Sequence, residues 1–168
     1  GLTGSFTNIE SWRIVSTGSS FGPFAVPVLG EISAGITGEI TPSEIRADEL
    51  RLIDKFSELL GAGALSYNLE DGFALSGNLF LMNDSEGEGY TASFEVDEGV
   101  ISASGSFNNA MLERVEGLPV DGRVSGNFSV SGSPEAPDVQ VAVSLSDGLF
   151  NGDRLSVDAA VDLNQEGL

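Results

Sequence analysis

The sequence contains neither cysteine nor histidine. Without cysteine the chain can form no disulfide, no thiolate metal site and no cysteine nucleophile. Without histidine it lacks the commonest general base and the commonest metal ligand of proteins, so its many serines have no histidine to activate them. We therefore expect no enzymatic activity, no catalytic residue and no cofactor.

Basic residues are also scarce, with 7 lysines and arginines against 26 aspartates and glutamates and a net charge of −19. This balance repels nucleic acid phosphates and anionic membrane surfaces, so neither is expected as a partner of the exposed face. No apolar run approaches the roughly 18 residues that a membrane-spanning helix needs. The chain begins at Gly1 without a signal-like segment. It is therefore interpreted as one continuous piece of a longer protein, with any membrane anchor outside it.

One acidic segment, residues 83–89, has features of a metal-binding loop. Asp84, Glu86 and Glu88 alternate with other residues at 83–89, and oxygen ligands at alternate positions suit calcium. The spacing departs from the EF-hand loop and lacks its distal bidentate glutamate. A polar, solvated hairpin tip is the simpler interpretation, so no metal site is predicted.

The dominant pattern in the sequence is alternation of apolar and polar residues. Successive side chains of a strand point to opposite faces, so each alternating run builds one apolar and one wet face. A fully buried parallel sheet would instead show continuous apolar runs, so antiparallel, half-buried strands are predicted. The alternating runs lie at 31–41, 65–81, 90–107, 124–130, 139–145 and 155–163.

Turn signals fall between these runs. Acidic-glycine and Asn-Gly dipeptides suit tight hairpins, because glycine tolerates positive φ. The glycines at 72, 99, 122 and 148 lie 23 to 27 residues apart, which suggests one stacked hairpin per step and an elongated shape. The dipeptides used in this argument are Asp71-Gly72, Glu98-Gly99, Asp121-Gly122, Asp147-Gly148 and Asn151-Gly152.

The first third of the chain is less regular. Residues 1–61 are predicted to form an irregular β segment, and residues 62–168 a repetitive hairpin segment. Within the first segment, Phe56, Leu59 and Leu60 have helical spacing. A short amphipathic helix is therefore possible at 53–60.

The last third of the chain has a distinctive order of elements. It runs from a Gly-x-x-x-Gly strand at Gly122 and Gly126 through a Gly-x-x-x-x-Pro connection at Gly132 and Pro137, an alternating strand at 139–145 and Asp147-Gly148 to a closing strand at 155–163. This order resembles the repeat of the AsmA/TamB superfamily. Residues 62–107 follow the same pattern more loosely, and the first 60 hardly at all.

The resemblance implies a long, curved antiparallel β-sheet, called a β-taco, folded around an apolar groove. It also implies a place in the periplasm of a diderm bacterium, within a protein anchored in the inner membrane. The implied role is to hold or conduct phospholipid acyl chains towards the outer membrane during outer-membrane biogenesis. One branch of the superfamily, the translocation and assembly module, works with an Omp85-type barrel protein.

Two interpretations of the apolar row stay open at this stage. It lines a lipid groove, or it is the filled core of a structural or adhesive β-solenoid module that binds no ligand. On the first interpretation the lining residues are Leu65, Tyr67, Phe73, Leu75, Tyr90, Phe94, Phe128, Val130, Val141, Val143, Val157 and Val161.

Overall fold

A computed structural model describes residues 1–6, 11–27, 29–68 and 73–163 of the chain. These residues form eleven β-strands and one short 3-10 helix, Leu112–Arg114. The strands are β1 (Leu2–Phe6), β2 (Trp12–Val26), β3 (Gly30–Ile40), β4 (Glu44–Ile53), β5 (Glu58–Asn68), β6 (Ala74–Asn83), β7 (Glu88–Asp97), β8 (Val100–Met111), β9 (Val120–Ser133), β10 (Ala136–Phe150) and β11 (Asp153–Leu163).

All eleven strands belong to one antiparallel sheet, whose strand order follows the sequence from β1 to β11. The sheet is open and curled, with β1 and β11 at its two edges. This confirms the prediction of an all-β, elongated and curved antiparallel sheet. Each strand needs only its sequence neighbours as partners, which is the arrangement that short turns between alternating runs favour.

The prediction of a short helix at 53–60 is wrong. Ile53 ends β4, Glu58 begins β5, and a tight turn joins them. The Asp54 carboxylate holds this turn by accepting hydrogen bonds from the backbone N–H groups of Phe56 (2.8 Å) and Ser57 (2.9 Å). The helical spacing of the apolar residues was accidental, because it joined residues from a turn and from both faces of the following strand.

The predicted turns divide into true turns and bulges. Glu98-Gly99 and Asn151-Gly152 do form hairpin turns, and the non-glycine residue in each has positive φ. Asp121-Gly122 and Asp147-Gly148 instead lie inside β9 and β10, where the strand register shifts between Ser146 and Leu149. Both β-bulges and tight turns contain residues with positive φ. The dipeptide alone therefore does not tell which of the two forms.

The even spacing of these glycines therefore mixes turns with bulges and does not measure hairpin length. Asp71-Gly72 lies outside the described residues, as does the part of the 65–81 run at 69–72. The described part of residues 1–61 forms strands β1 to β4 and the start of β5 in the same sheet. Register shifts occur there between β2 and β3, at Thr17/Ser19 and Phe21/Phe24, and they occur in later pairs as well, such as β8 with β9.

Strand registers define an inner and an outer face of the sheet. Directly paired residues share a face, and so do residues two apart in a strand. One inner row crosses the sheet from Ile14 on β2 to Leu163 on β11, and only apolar residues and glycine occupy it. Its members are Ile14, Ile40, Ile45, Leu65, Gly77, Phe94, Ala103, Val130, Val139 and Leu163.

The outer face carries hydroxyl and amide side chains over most of the sheet. On β7 and β8, Thr91 and Ser106 share a hydrogen bond of 2.8 Å across the strands. Ser93 and Ser104 share another of 3.1 Å, one row further along. This alternation of apolar inner and polar outer rows is the pattern that the sequence predicts. It is broken on β5 and β6, where Leu60, Phe80 and Met82 lie on the outer face and Leu60 and Phe80 are exposed.

Glycines of the inner face lie under aromatic rings of the neighbouring strand. A Cβ on Gly105 would come within 2.6 Å of the ring of Phe128, which is its direct cross-strand partner. The same relation holds between Gly77 and Phe94, and between Gly126 and Phe107. These rings occupy the space that a glycine side chain leaves free, so ring and glycine together fill the apolar floor.

Candidate functional site: an apolar groove closed at one end

The residues nominated as groove lining all lie in strands on the inner face, except Phe73, which directly precedes β6. Cross-strand pairs bring them into rows that run across the sheet. One row pairs Tyr67 with Leu75, and another pairs Phe128 with Val141 and Val161. A third row runs from Leu65 through Gly77 to Phe94 and on through Ala103 to Val130. A fourth runs from Tyr90 through Phe107 and Gly126 to Val143. Val157 pairs with Leu145 of the same face.

In the described part of the chain, no second layer lies over this inner face, and most of its side chains are half-buried by one another. Among the described residues, the apolar side chains that are buried are Leu59, Leu81, Ala110 and Leu145. Of the nominated lining residues, Phe73, Val157 and Val161 are exposed (58%, 39% and 50%), and the other nine are half-buried. Every extensive contact between strands of the described chain joins sequence neighbours, so no second layer packs on the inner face. We call this uncovered inner face the apolar groove.

The two rows of turns give the groove two different ends. We define the closed end by the turns at 54–57, 84–87 and 112–119, and the open end by those at 41–43, 98–99 and 134–135. At the open end Tyr67 donates a 2.7 Å hydrogen bond to the carbonyl of Thr41, and its ring continues the inner row.

The closed end is covered by the connection between β8 and β9, residues 112–119, which we call the strap. Glu116 of the strap lies 3.7 Å from the ammonium of Lys55. Its carboxylate also lies against Gly30, where a Cβ would come within 2.7 Å. In a flat sheet β3 and β8 would be about 24 Å apart, at ~4.8 Å per strand. The strap makes these contacts because the sheet curls at this end.

A buried ion-pair cluster anchors the strap. The Arg114 guanidinium donates two hydrogen bonds to Glu88, from Nε to Oε1 (2.8 Å) and from Nη2 to Oε2 (2.6 Å). It also donates to Ser57 Oγ at 2.7 Å and pairs with the carboxylate of Asp54 through Nη1. Tyr90 adds a hydrogen bond from its hydroxyl to Glu88 Oε1. One arginine therefore links the strap to the turn at 54–57, which precedes β5, and to Glu88 at the start of β7.

Electrostatics within the cluster favour its charged forms. Burial alone raises the pKa of Glu88, but hydrogen bonds from Arg114 and Tyr90 outweigh it and lower the pKa overall. Burial likewise raises the pKa of Asp54, but hydrogen bonds from Ser57, Phe56 and Arg114 lower it by more. The pKa of Asp54 is therefore lowered overall. Burial and the hydrogen bond to Glu88 raise the pKa of Tyr90. Both carboxylates therefore stay ionised beside the arginine at neutral pH.

Below the cluster lies an apolar cavity of about 210 Å³. Strands β3 to β7 all contribute apolar side chains to its wall, and Asp54 and Arg114 form its polar edge. Because Leu81 and Tyr90 belong to the inner rows, the cavity continues the apolar groove to its closed end. The remaining wall residues are Leu29, Ile32, Leu52 and Leu59.

Sequence reasoning missed this cluster. Residues 83–89 were expected to be a solvated hairpin tip, yet Asn83 and Glu88 are buried and only the turn at 84–87 is exposed. The signal was present in the alternation, because Glu88 shares the parity of Tyr90 and Phe94 and so points to the inner face. Its partner Arg114 lies 26 residues away, outside any alternating run.

Among the described residues, no group of three or more aspartate, glutamate, cysteine or histidine side chains could hold a metal ion. The sequence does contain one Gly-x-Ser-x-Gly pattern around Ser20, but it lies inside β2 and not at the strand-to-helix turn of a hydrolase. No helix of the described residues has the length and hydrophobicity that crossing a bilayer requires.

Comparison of the chain with models of protein families, with curated proteins and with solved structures found no match.

Proposed function

We propose that this chain holds phospholipid acyl chains in its apolar groove and conducts them between two membranes. The observation that carries the proposal is the uncovered inner face, where apolar rows cross a single open sheet without a second layer. Soluble proteins rarely expose a continuous apolar surface of this extent unless it contacts a ligand, a partner or a membrane. A groove lined by Phe128, Val141 and Val161 suits an aliphatic ligand.

The energetics suit passive conduction. Each methylene that leaves water for the groove contributes about 0.8 kcal/mol. The floor, where rings fill the space beside glycines, offers aliphatic chains no directional polar contact to break as they move. The polar outer face and the net charge of −19 keep the sheet hydrated.

The setting of this activity rests on the resemblance to the AsmA/TamB superfamily. By that likeness, the chain acts in the periplasm of a diderm bacterium as part of an inner-membrane-anchored protein. Its role would be the supply of phospholipid for outer-membrane biogenesis. An Omp85-type outer-membrane barrel protein is the partner that the same likeness suggests.

A pair of neighbouring substitutions tests the proposal. Phe128 points into the groove, and Ser129 points to the outer face of the same strand. Purified protein is incubated with phospholipid vesicles and re-isolated, and bound lipid is extracted and measured by mass spectrometry. Phe128→Glu should lose most of the bound lipid, because a carboxylate in the groove is costly to desolvate. Ser129→Glu adds the same charge outside and should retain it.

The alternative of a structural or adhesive module makes the opposite prediction. A module without a ligand would carry no phospholipid in the wild type, and Phe128→Glu would change no lipid signal. Absence of phospholipid from the wild-type protein, with folding verified by circular dichroism, would therefore refute the lipid proposal.

A further inference from the structure

The cavity below the strap has apolar walls, and the polar atoms at its edge already have partners. Arg114 donates to Glu88, Ser57 and Asp54, so all of its guanidinium nitrogens are engaged. The Asp54 carboxylate also accepts backbone hydrogen bonds, and the Tyr90 hydroxyl donates to Glu88. A polar ligand or a water molecule would therefore find few hydrogen-bonding groups there, whereas a hydrocarbon group needs none.

The volume of the cavity sets the size of the group that it can hold. An apolar cavity of about 150 Å³ binds one benzene ring. The cavity below the strap measures about 210 Å³, so by the same ratio it has room for roughly eight carbon atoms. A group of this size is much smaller than a phospholipid, so only one end of a long aliphatic chain fits.

The remainder of such a chain can leave the cavity along the apolar groove. Leu81 and Tyr90 belong both to the cavity wall and to the inner face, where each is the direct cross-strand partner of the other. Tyr90 pairs in turn with Phe107, whose partner Gly126 continues the same row towards β10. A carbon chain that begins among the leucines of the cavity therefore continues over the apolar floor of the groove.

Charge at the closed end determines which end of a lipid enters the cavity. The cluster holds two carboxylates, Asp54 and Glu88, against the single guanidinium of Arg114. This excess of negative charge repels the phosphate of a phospholipid headgroup, which is also costly to remove from water. The uncharged methyl end of an acyl chain meets neither obstacle.

We propose that this cavity binds the methyl end of one acyl chain, over roughly its last eight carbons, and thereby orients the lipid in the groove. The tail lies under the strap at the closed end, and the headgroup lies towards the open end. This inference rests on the proposed lipid function and adds the position and direction of the bound chain.

The site is tested with linear alcohols from butanol to decanol, which carry no charge. Binding to the wild-type protein is followed by methyl NMR, with the signals of Ile32, Leu59 and Leu81 reporting on the cavity. Each buried methylene should strengthen binding about four-fold, the equivalent of about 0.8 kcal/mol. Beyond roughly eight carbons the gain should fall to about two-fold, because the chain then has the groove on one side and water on the other.

Two neighbouring leucines provide a matched pair of variants. Leu59 is buried and lines the cavity, whereas Leu60 lies exposed on the outer face. Leu59→Trp places an indole ring in the cavity and should weaken octanol binding by about ten-fold or more, because it displaces two or more methylenes. Leu60→Trp adds the same ring outside and should leave octanol binding unchanged. If circular dichroism shows that Leu59→Trp does not fold, Leu52→Phe fills the same cavity with a smaller addition.

The direction of a bound phospholipid is measured with a spin label. Phosphatidylcholine carries the label either at the methyl end of one acyl chain or next to the glycerol. The label at the methyl end should strongly broaden the methyl signals of Leu59 and Leu81. The label next to the glycerol should broaden them far less, because it lies further from the strap, towards the open end.

Each outcome decides a different claim. Octanol binding that shifts no cavity methyl signal, or that keeps its affinity in both Leu59→Trp and Leu52→Phe, overturns the proposed site. Equal or stronger broadening by the label next to the glycerol overturns the orientation and leaves the lipid function standing. If octanol occupies the cavity but no phospholipid binds, the proposed function and the orientation have both failed, and the site takes a shorter aliphatic molecule.

Discussion

The ion-pair cluster under the strap offers the sharpest test of how the closed end is held. The Glu88 side chain is 0% exposed, and those of Arg114 and Asp54 are 9% and 12% exposed. Arg114→Met keeps much of the side-chain volume but removes the guanidinium. Two buried carboxylates then lose their cation, and Glu88 also loses two hydrogen bonds and Asp54 one.

Breaking a buried ion pair by removing one partner costs about 3–5 kcal/mol, because the remaining charge stays buried without compensation. We therefore expect Arg114→Met to lower the free energy of unfolding by about that amount. Adding Glu88→Gln to this variant should recover part of the loss, since one of the two stranded charges disappears. The two substitutions should thus be strongly non-additive.

The assay is urea unfolding at pH 7 and fixed salt, followed by circular dichroism. Urea is uncharged and leaves the ion pairs unscreened. Arg51→Met is the matched control, because Arg51 also pairs with a glutamate but on the exposed outer face. Its effect should be far smaller. A cost below about 1 kcal/mol for Arg114→Met, or additivity with Glu88→Gln, would refute the assigned role of the cluster.

Two further predictions concern the floor of the groove and the effect of pH. Gly105→Ala should cost about 1–3 kcal/mol of unfolding free energy, because its Cβ would come within 2.5 Å of the backbone carbonyl of Thr91 and 2.6 Å of the ring of Phe128. Ser104→Ala on the outer face should cost little, and equal urea midpoints for the two variants would contradict this. Because Asp54 and Glu88 have lowered pKa values in the fold, against about 3.9 and 4.3 when unfolded, their contribution is complete above about pH 5. It should be lost as pH falls from about 4 through the lowered pKa values, and Glu88→Gln should flatten this loss in urea midpoints measured across pH.

The inner face could be predicted because it depends on local parity. Phe128, Val141 and Val161 come from three different strands, and each was assigned to the apolar row by alternation alone. Antiparallel pairing places direct partners on the same face, so local parity carries across the whole sheet.

The turns could be predicted only in part. Asp147 and Asn151 both have positive φ, yet the first belongs to a bulge and the second to a hairpin turn. A bulge forms where the strand continues to pair with its neighbours after the dipeptide, and a turn forms where it does not. The neighbouring strands decide this, and the dipeptide itself does not.

The sequence by itself determined that this protein is all-β, with one apolar and one polar face and strands joined in order by short turns. Those features follow from a period of two and from pairing between neighbours, which are local. Only the tertiary structure decided that the sheet curls, that the strap covers one end, and that Arg114 meets Asp54 across 60 residues of sequence. Curl accumulates from the small twist between successive strands, and no short pattern of residues specifies its total.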